Sequence, residues 1–420
     1  MIRVLQGKSA RSFADSLQRR GARSGALVER AIRAILRDVA TRGDAAVRCY
    51  AEKWDGLKPR EPFLVPRERM SEALQKASPE FSGALEFAAE NIRRFCEWQR
   101  PQEWSHEIQP GVRVGQIVRP LESVGCYVPG GRYPLPSTLL MTVIPAQVAG
   151  VKRIAVASPR PAPEILAAGA LLEIEELHCV GGAQAVGALA YGTKSIAAVR
   201  KIVGPGNRYV TVAKKQVASQ GACAIDMLAG PTETLIISHD GNPTLIAADL
   251  VAQAEHDPES FAIFVTTSAE LARAVAKEVK RLAAGNRIAL ASLGKNSAVL
   301  IVASEEEAVA LANAIAPEHV TVSERDLSAI TAAGSIFIGD YSAQPFGDYV
   351  SGPNHVLPTG GAARHRGGLS VSDFVKTITV QQIAAAGVEH LAPAAIALAE
   401  AEGLPGHAQS ARLRMRGAHA

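Results

Sequence analysis

From about residue 120 onward the chain alternates short apolar, β-branched runs with Ala-rich stretches of helical spacing, and this alternation limits the possible folds more than any other feature. ESVGCYV is followed by STLLMTVIPAQVAG, RIAVAS by EILAAGALL, LHCV by QAVGALAYG, and KIVGPG by NRYVTVAKKQVASQ. Strands joined by helix-length connections pair in parallel, with the helices on the faces of the sheet. A second series opens at TETLIISHD and includes FAIFVTT, SAVLIVAS and GSIFIGDY. Two such series predict two α/β units with a cleft between them. Two helices of the second series open with capping-box spacing, Thr267 with Glu270 and Ser304 with Glu307. The first 110 residues read differently: LVERAIRAILRDVATRGDAAVRCYAEKWDG and FSGALEFAAENIRRFCEW carry apolar residues three and four apart, a helical spacing. The stretch after residue 380 is helical, Ala-rich and then basic. It is too short for a core of its own and is expected to pack on something else, a partner subunit being one option.

Length and composition bound the function. A chain of 420 residues, 47% hydrophobic and 20% charged, has ample core for two or three domains. Lys and Arg exceed Asp and Glu by 45 to 41, with no basic stripe interleaved with aromatics, so nucleic-acid binding is not expected. No apolar run approaches the roughly 18 residues of a membrane span, and the first twenty residues lack the apolar segment of a signal peptide. The five cysteines are far apart and form no CxxC pair, which fits reduced thiols in the cytoplasm.

Several polar groups stand beside Gly, Pro or expected helix ends. Gln253 and His256, in VAQAEHDPES, are three apart and share one helix face, with Asp257-Pro258 ending the helix close by. They could form half of a site for zinc or another borderline metal, although spacing alone favours a surface Gln and a capping His. Glu318-His319 follows Ala-Pro in a turn before a strand, where a carboxylate and an imidazole could share acid/base work; an exposed loop pair fits the spacing as well. Asp348 and His355 flank GDYVSGPNH, a tight backbone excursion of the kind that presents side chains to a cleft. Glu402 and His407 lie in EGLPGH, where a ligand would be idle unless the tail docks at a site. The Gly/Pro-rich turns YVPGGRYP, VGGAQAVG, VGPGNRYV and LAGPTET are read as ending strands, where a parallel sheet binds ligands. None reads G-x-G-x-x-G after a first strand and no P-loop occurs.

Taken together, YVPGG, GGAQAVGALAYGT, KIVGPGN, IDMLAGPTE, QAEHDP, APEHV, GDYVSGPNHVLPT and EGLPGH resemble the motifs of the histidinol dehydrogenase family, in the same order. The resemblance implies two Rossmann-like parallel-sheet domains with a helical N-terminal arm and a C-terminal helical tail. It implies a cytoplasmic homodimer with shared active sites, holding one Zn2+ per subunit and using NAD. Members oxidise L-histidinol to L-histidinal and then to L-histidine, reducing two NAD in one site, the last step of histidine biosynthesis. The positions matching the zinc ligands are Gln253, His256, Asp348 and His407 of the partner subunit. Those matching the acid/base pair are Glu318 and His319, with His319 taking the proton of the alcohol and Glu318 activating the water that hydrates the aldehyde. Substrate contacts fall on Thr232, Gln253, His256, His319, Asp348, His355, Glu402 and His407. Cofactor contacts fall on Tyr127, Gln184 and Asn207.

The grouping expected is an arm over 1–21, a larger discontinuous domain over 22–126 and 232–369 carrying the zinc, an NAD-binding domain over 127–231, and a tail over 370–420 packing on the partner. The chain departs from the family's common pattern at Thr232, where Ser is frequent, and at Arg132 and Tyr133, where small residues are frequent. The alternative function is that of a paralogous zinc- and NAD-dependent dehydrogenase of another small polar alcohol, such as a sulfonated propanediol. Glu402 and His355 favour histidinol. From a different class, a zinc hydrolase would use the same metal and carboxylate without NAD.

Overall fold

The computed structural model describes residues 2–18, 25–130 and 133–417. The chain opens with β1 (Arg3–Gln6) and α1 (Lys8–Gln18), then α2 (Ala26–Arg42), α3 (Asp44–Tyr50), α4 (Arg67–Lys76) and α5 (Pro79–Trp98). An exposed pair, β2 (Trp104–Gln109) and β3 (Val112–Pro120), leads to β4 (Ser123–Tyr127). The first alternating series continues through α6 (Pro136–Ala149), β5 (Arg153–Ala157), α7 (Pro163–Leu171), β6 (Glu176–His178), α8 (Gly182–Tyr191), β7 (Lys201–Val203), α9 (Arg208–Ser219) and β8 (Ala224–Ile225). The second comprises β9 (Glu233–Ile237), α10 (Pro243–Ala254), β10 (Phe261–Thr266), α11 (Ala269–Leu282), α12 (Arg287–Lys295), β11 (Ala298–Ile301), α13 (Glu305–Ile315), β12 (His319–Val322), β13 (Ser335–Ile338) and α14 (Gln344–Tyr349). The chain closes with β14 (Val375–Ile383), α15 (Ala385–Ala401) and α16 (Pro405–Gly417).

The two series form two parallel sheets, as the alternation predicts. One is five-stranded in the order β6-β5-β4-β7-β8 and the other six-stranded in the order β1-β11-β10-β9-β12-β13. In each, the chain winds outward over three strands and returns to the other side of the first, so a switch in direction falls between β4 and β7 and between β9 and β12. Their central strands β4, β9, β10 and β12 are buried on both faces, which is why they read as continuous apolar runs. In β9, Leu235 and Ile237 point into one core and Ile236 into another on the opposite face.

Three expectations are corrected. The described part of the expected arm is no arm: β1 pairs in parallel with β11 and extends the six-stranded sheet. Residues 22–126 do not group with 232–369: Ile32, Leu36, Leu85 and Ile92 share one core with Val124, Val156 and Leu189 of the five-stranded sheet, and β4 is that sheet's central strand. The apolar stripes of α2 and α5 pack on the helices that cover that sheet, α2 on α8 and α9 and α5 on α6, and this burial outweighs their distance along the chain. Thr267 does not cap α11; Ser268 does, accepting from the Leu271 amide at 3.1 Å, because the Thr267 hydroxyl is taken by His239 Nδ1 at 2.9 Å. The cap at Ser304 forms as expected, 3.2 Å from the Glu307 amide.

In the tail, β14 pairs antiparallel with β3 over nine residues, and α15 and α16 follow. Ile378, Val380, Ile383, Leu398, Leu404 and Leu413 are exposed on this part of the chain. No described helix is long and apolar enough to cross a membrane.

Candidate active site

The acid/base pair lies at the amino ends of β9 and β12, beside the change in winding direction. LAGPTET, read as ending a strand, instead leads into β9, so this chemistry sits on the edge opposite to the one expected. The reason is local. At the first residue of a parallel strand the backbone amide still has hydrogen-bonding capacity toward the sheet edge, and the Glu233 amide donates to Glu318 Oε2 at 3.0 Å. The Glu233 carbonyl accepts from His319 Nδ1 at 3.3 Å, which places a ring proton on that nitrogen and turns Nε2 toward Asp348. His319 Nε2 is 3.6 Å from Asp348 Oδ1, and Nδ1 is 3.8 Å from Glu318. The imidazole therefore stands between two carboxylates, with the Phe337 ring 5.8 Å away.

Burial sets the protonation here. Glu318 is pushed up to about 8 by loss of solvent, against the pull of His319. Burial alone would lower His319, but Glu318 and Asp348 outweigh it and hold the imidazole above its usual range. Burial would likewise raise Asp348, and His319 reverses that, aided by His355 and His256, so Asp348 stays below the usual carboxylate range. His355 is lowered, chiefly by burial, and its Nδ1 donates to the Asp348 carbonyl at 2.7 Å.

Gln253, near the end of α10, is 1% exposed. Its Nε2 reaches Asp348 Oδ2 at 3.5 Å, and its Oε1 is buried with no hydrogen-bond partner among the described residues. An orphaned carbonyl oxygen beside an ionised carboxylate suits a cation of mixed nitrogen and oxygen preference. His256 does not share the helix as expected: α10 ends at Ala254, and His256 lies exposed in the turn beyond, near enough to lower Asp348. Among the described residues no three His, Cys, Asp or Glu side chains are arranged to hold a metal ion, so the chain alone offers a partial ligand set. Glu402 and His407, at the end of α15 and in α16, are exposed and are not brought to this site within the chain. Thr232 adjoins Glu233, its carbonyl accepting from the Phe261 amide at 3.1 Å. Glu233 itself escaped the sequence reading; the signal was an acidic residue opening an otherwise apolar strand.

The other three expected residues gather at the five-stranded sheet. Tyr127 ends β4 and its hydroxyl accepts from the Gly182 amide at 3.0 Å. Asn207 follows β7 and caps α9, accepting from the Tyr209 amide at 2.9 Å. Gln184 lies in the first turn of α8, after β6, 1% exposed. These are carboxyl ends of strands around the change of direction between β4 and β7, where α/β sheets take ligands. Tyr133 is exposed, and Arg132 lies outside the described residues. A wider cleft at the carboxyl ends of β1 and β11, lined by Arg11 and Glu307, holds none of these groups.

A buried imidazole held between two carboxylates, on parallel sheets with a second crevice at a switch point, is the equipment of an α/β enzyme that moves protons. The histidinol dehydrogenase family model matches residues 18–415, and the chain belongs to that family of oxidoreductases. It is 44% identical to the histidinol dehydrogenase of Vibrio parahaemolyticus over 409 residues, covering 95% of this chain and 94% of that one. It is 46% identical to that of Methanosarcina barkeri over 401 residues, 92% of each. A crystal structure of histidinol dehydrogenase from Elizabethkingia anophelis matches with a TM-score of 0.95 at 34% identity, covering 100% of this chain and 99% of that one.

Proposed function

We propose that the protein oxidises L-histidinol to L-histidine by way of L-histidinal, passing two hydrides in turn to two NAD at one site. It does so in the cytoplasm, as a homodimer with one Zn2+ per subunit. The observation that carries this reading is His319, buried and aligned by the Glu233 carbonyl, with its Nε2 turned toward Asp348. In its neutral form, an imidazole so oriented takes the hydroxyl proton of the alcohol as hydride leaves carbon. Glu318, with its carboxyl pushed up to about 8, is matched to a base working near neutrality and takes the proton of the water that adds to the aldehyde. Gln253, His256, Asp348 and His407 of the partner subunit would hold the zinc. Bound there, the metal supplies a template that orients the substrate's imidazole and amine. Thr232, His355 and Glu402 contact the substrate, Glu402 through a charge-assisted bond to its amine. Tyr127, Gln184 and Asn207 contact NAD. That Glu402 and His407 are exposed in their own chain supports a role in a neighbouring subunit's site.

The test is NADH formation by zinc-loaded protein given L-histidinol, counted per substrate consumed. Two NADH per histidinol, abolished by a chelator and restored by zinc, is the expected result. One NADH, or turnover indifferent to the chelator, would refute the proposal.

A further inference from the structure

Asp55 lies at the end of a turn of π-helix, Ala51–Asp55, far along the chain from the NAD contacts, and is only 6% exposed. Its Oδ2 accepts from the Gly181 amide at 2.9 Å and from Gln184 Nε2 at 3.0 Å. A carboxylate can only accept hydrogen bonds, so it selects which end of the Gln184 amide faces it. The nitrogen is committed to Asp55, and among the described residues Oε1 is left buried with no donor. The backbone reinforces this choice. Gly182 adopts φ +60°, and a Cβ there would stand 2.8 Å from Gln184 Oε1. Its amide is held by the Tyr127 hydroxyl at 3.0 Å while the Gly181 amide is held by Asp55. Both amides of the turn are thus anchored, one to each side of the amide group. A buried acceptor without a donor bears the full desolvation penalty of that group, which a ligand offering a donor removes.

We propose that Asp55 is a positioning residue for the cofactor, fixing the Gln184 amide so that position 184 presents an oxygen and takes a hydrogen-bond donor of the dinucleotide. A ribose hydroxyl or the carboxamide NH2 has that character; phosphate oxygens and ring nitrogen acceptors do not. The inference rests on the reading of Gln184 as a dinucleotide contact.

The test is direct NAD binding to the purified protein by titration calorimetry, alongside steady-state kinetics. Asp55→Ala frees the amide and weakens NAD about tenfold, the size of one hydrogen bond to a preorganised group. It raises KM for NAD while KM for histidinol and kcat at saturating NAD stay within about twofold. Asp55→Asn retains an oxygen where Oδ2 stands and keeps NAD binding within about threefold. Should Asp55→Ala not fold, Gln184→Glu carries the test: it sets a carboxylate against Asp55 and loses NAD binding. Adding Asp55→Asn lets an amide NH2 hold one carboxylate oxygen, leaves the other as acceptor, and restores binding about tenfold. Wild-type binding of NAD weakened by Gln184→Ala, together with unchanged binding in Asp55→Ala or no recovery when Asp55→Asn joins Gln184→Glu, would overturn the inference. Equal losses in Asp55→Ala and Asp55→Asn that extend to kcat would also overturn it, since that is mere structural damage. No NAD binding by the wild type would instead sink the dinucleotide reading, and binding indifferent to Gln184→Ala the placement of Gln184.

Discussion

Replacing Lys214 by Met tests whether the turn after β7 is held by a buried charge pair. Lys214 and Asp226 have side chains 2% and 0% exposed, and they form a direct ion pair. Lys214 Nζ also donates to the Gly204 carbonyl at 2.8 Å, while Asp226 Oδ2 accepts from the Gly204 amide at 2.7 Å. Both polar groups of one glycine are therefore clamped by opposite charges. That glycine adopts φ +109°, and a Cβ on it would collide with the Tyr127 carbonyl. Methionine preserves most of the lysine's volume but leaves the Asp226 carboxylate buried without its cation. Removal of one partner from a buried pair costs about 3–5 kcal/mol. Chemical denaturation followed by circular dichroism should show that loss as a lower midpoint at unchanged slope. Adding Asp226→Asn removes the stranded charge while an amide oxygen still accepts from Gly204, so the double variant should regain about 1–2 kcal/mol over Lys214→Met alone. A single-variant loss under about 1 kcal/mol would refute the reasoning, as would a double variant less stable than the single.

Glu318→Gln should convert histidinol to histidinal with one NADH and stall there, read by NADH count and trapping of the aldehyde; equal loss with added histidinol and added histidinal would sink the division of labour. Mixed dimers of His407→Asn and His319→Asn subunits should regain activity that neither parent homodimer has, and no recovery would count against sites shared between subunits. Asp249, on α10, is raised from 3.8 to about 6 by burial. Its folded-state pKa exceeds its unfolded one, so the folded chain binds this proton more tightly, and stability falls as pH rises from 3.8 to about 6 and stays lowered above. Asp249→Asn should therefore stabilise the protein at pH 7 by about 1 kcal/mol, allowing for solvent screening of a partly exposed group. It should change nothing below pH 3.8, and a gain that persists in acid would refute the assignment.

The parallel sheets were legible because their central strands are buried on both faces and separated by whole helices, a pattern that survives in a single sequence. The edge elements were not. β1 is four residues long with no alternation, and only its pairing with β11 makes it a strand. β2 and β3 carry polar residues on both faces, with β2 exposed throughout. Helix ends were legible to within two residues, and those residues mattered: α10 stops at Ala254 short of His256, and Thr267 and Ser268 both satisfy a cap's chemistry, with only the contact with His239 deciding between them. At the site, adjacency in sequence was the guide, so Glu318-His319 stood out. Groups acting across the chain were silent: Asp55 meets Gly181 from 126 residues away, and Glu233 supports both members of the pair through its backbone, which no side-chain pattern encodes.

Why two places on opposite edges of two sheets can serve the one proposed reaction follows from the segment between Pro353 and Gly361. Asn354 Nδ2 donates to the Met141 carbonyl at 2.6 Å and His355 Nε2 lies 3.4 Å from Thr138 Oγ1, both on α6, the helix that follows β4 and Tyr127. At its other end the Gly360 amide donates to Glu233 Oε1 at 2.8 Å, and Thr359 Oγ1 accepts from the Gly230 amide at 2.5 Å. One loop is thus bonded to the helix that leaves the crevice of the five-stranded sheet and to the residue that aligns His319 in the six-stranded one. The amino edge of β9 and β12 is turned toward the carboxyl edge of β4 by side-chain hydrogen bonds rather than by sheet pairing. The proposed hydride acceptor on one edge and proton acceptor on the other would require that approach, and the buried Asn354, bonded through both its amide nitrogen and its oxygen, gives it rigidity that a solvated hinge would lack.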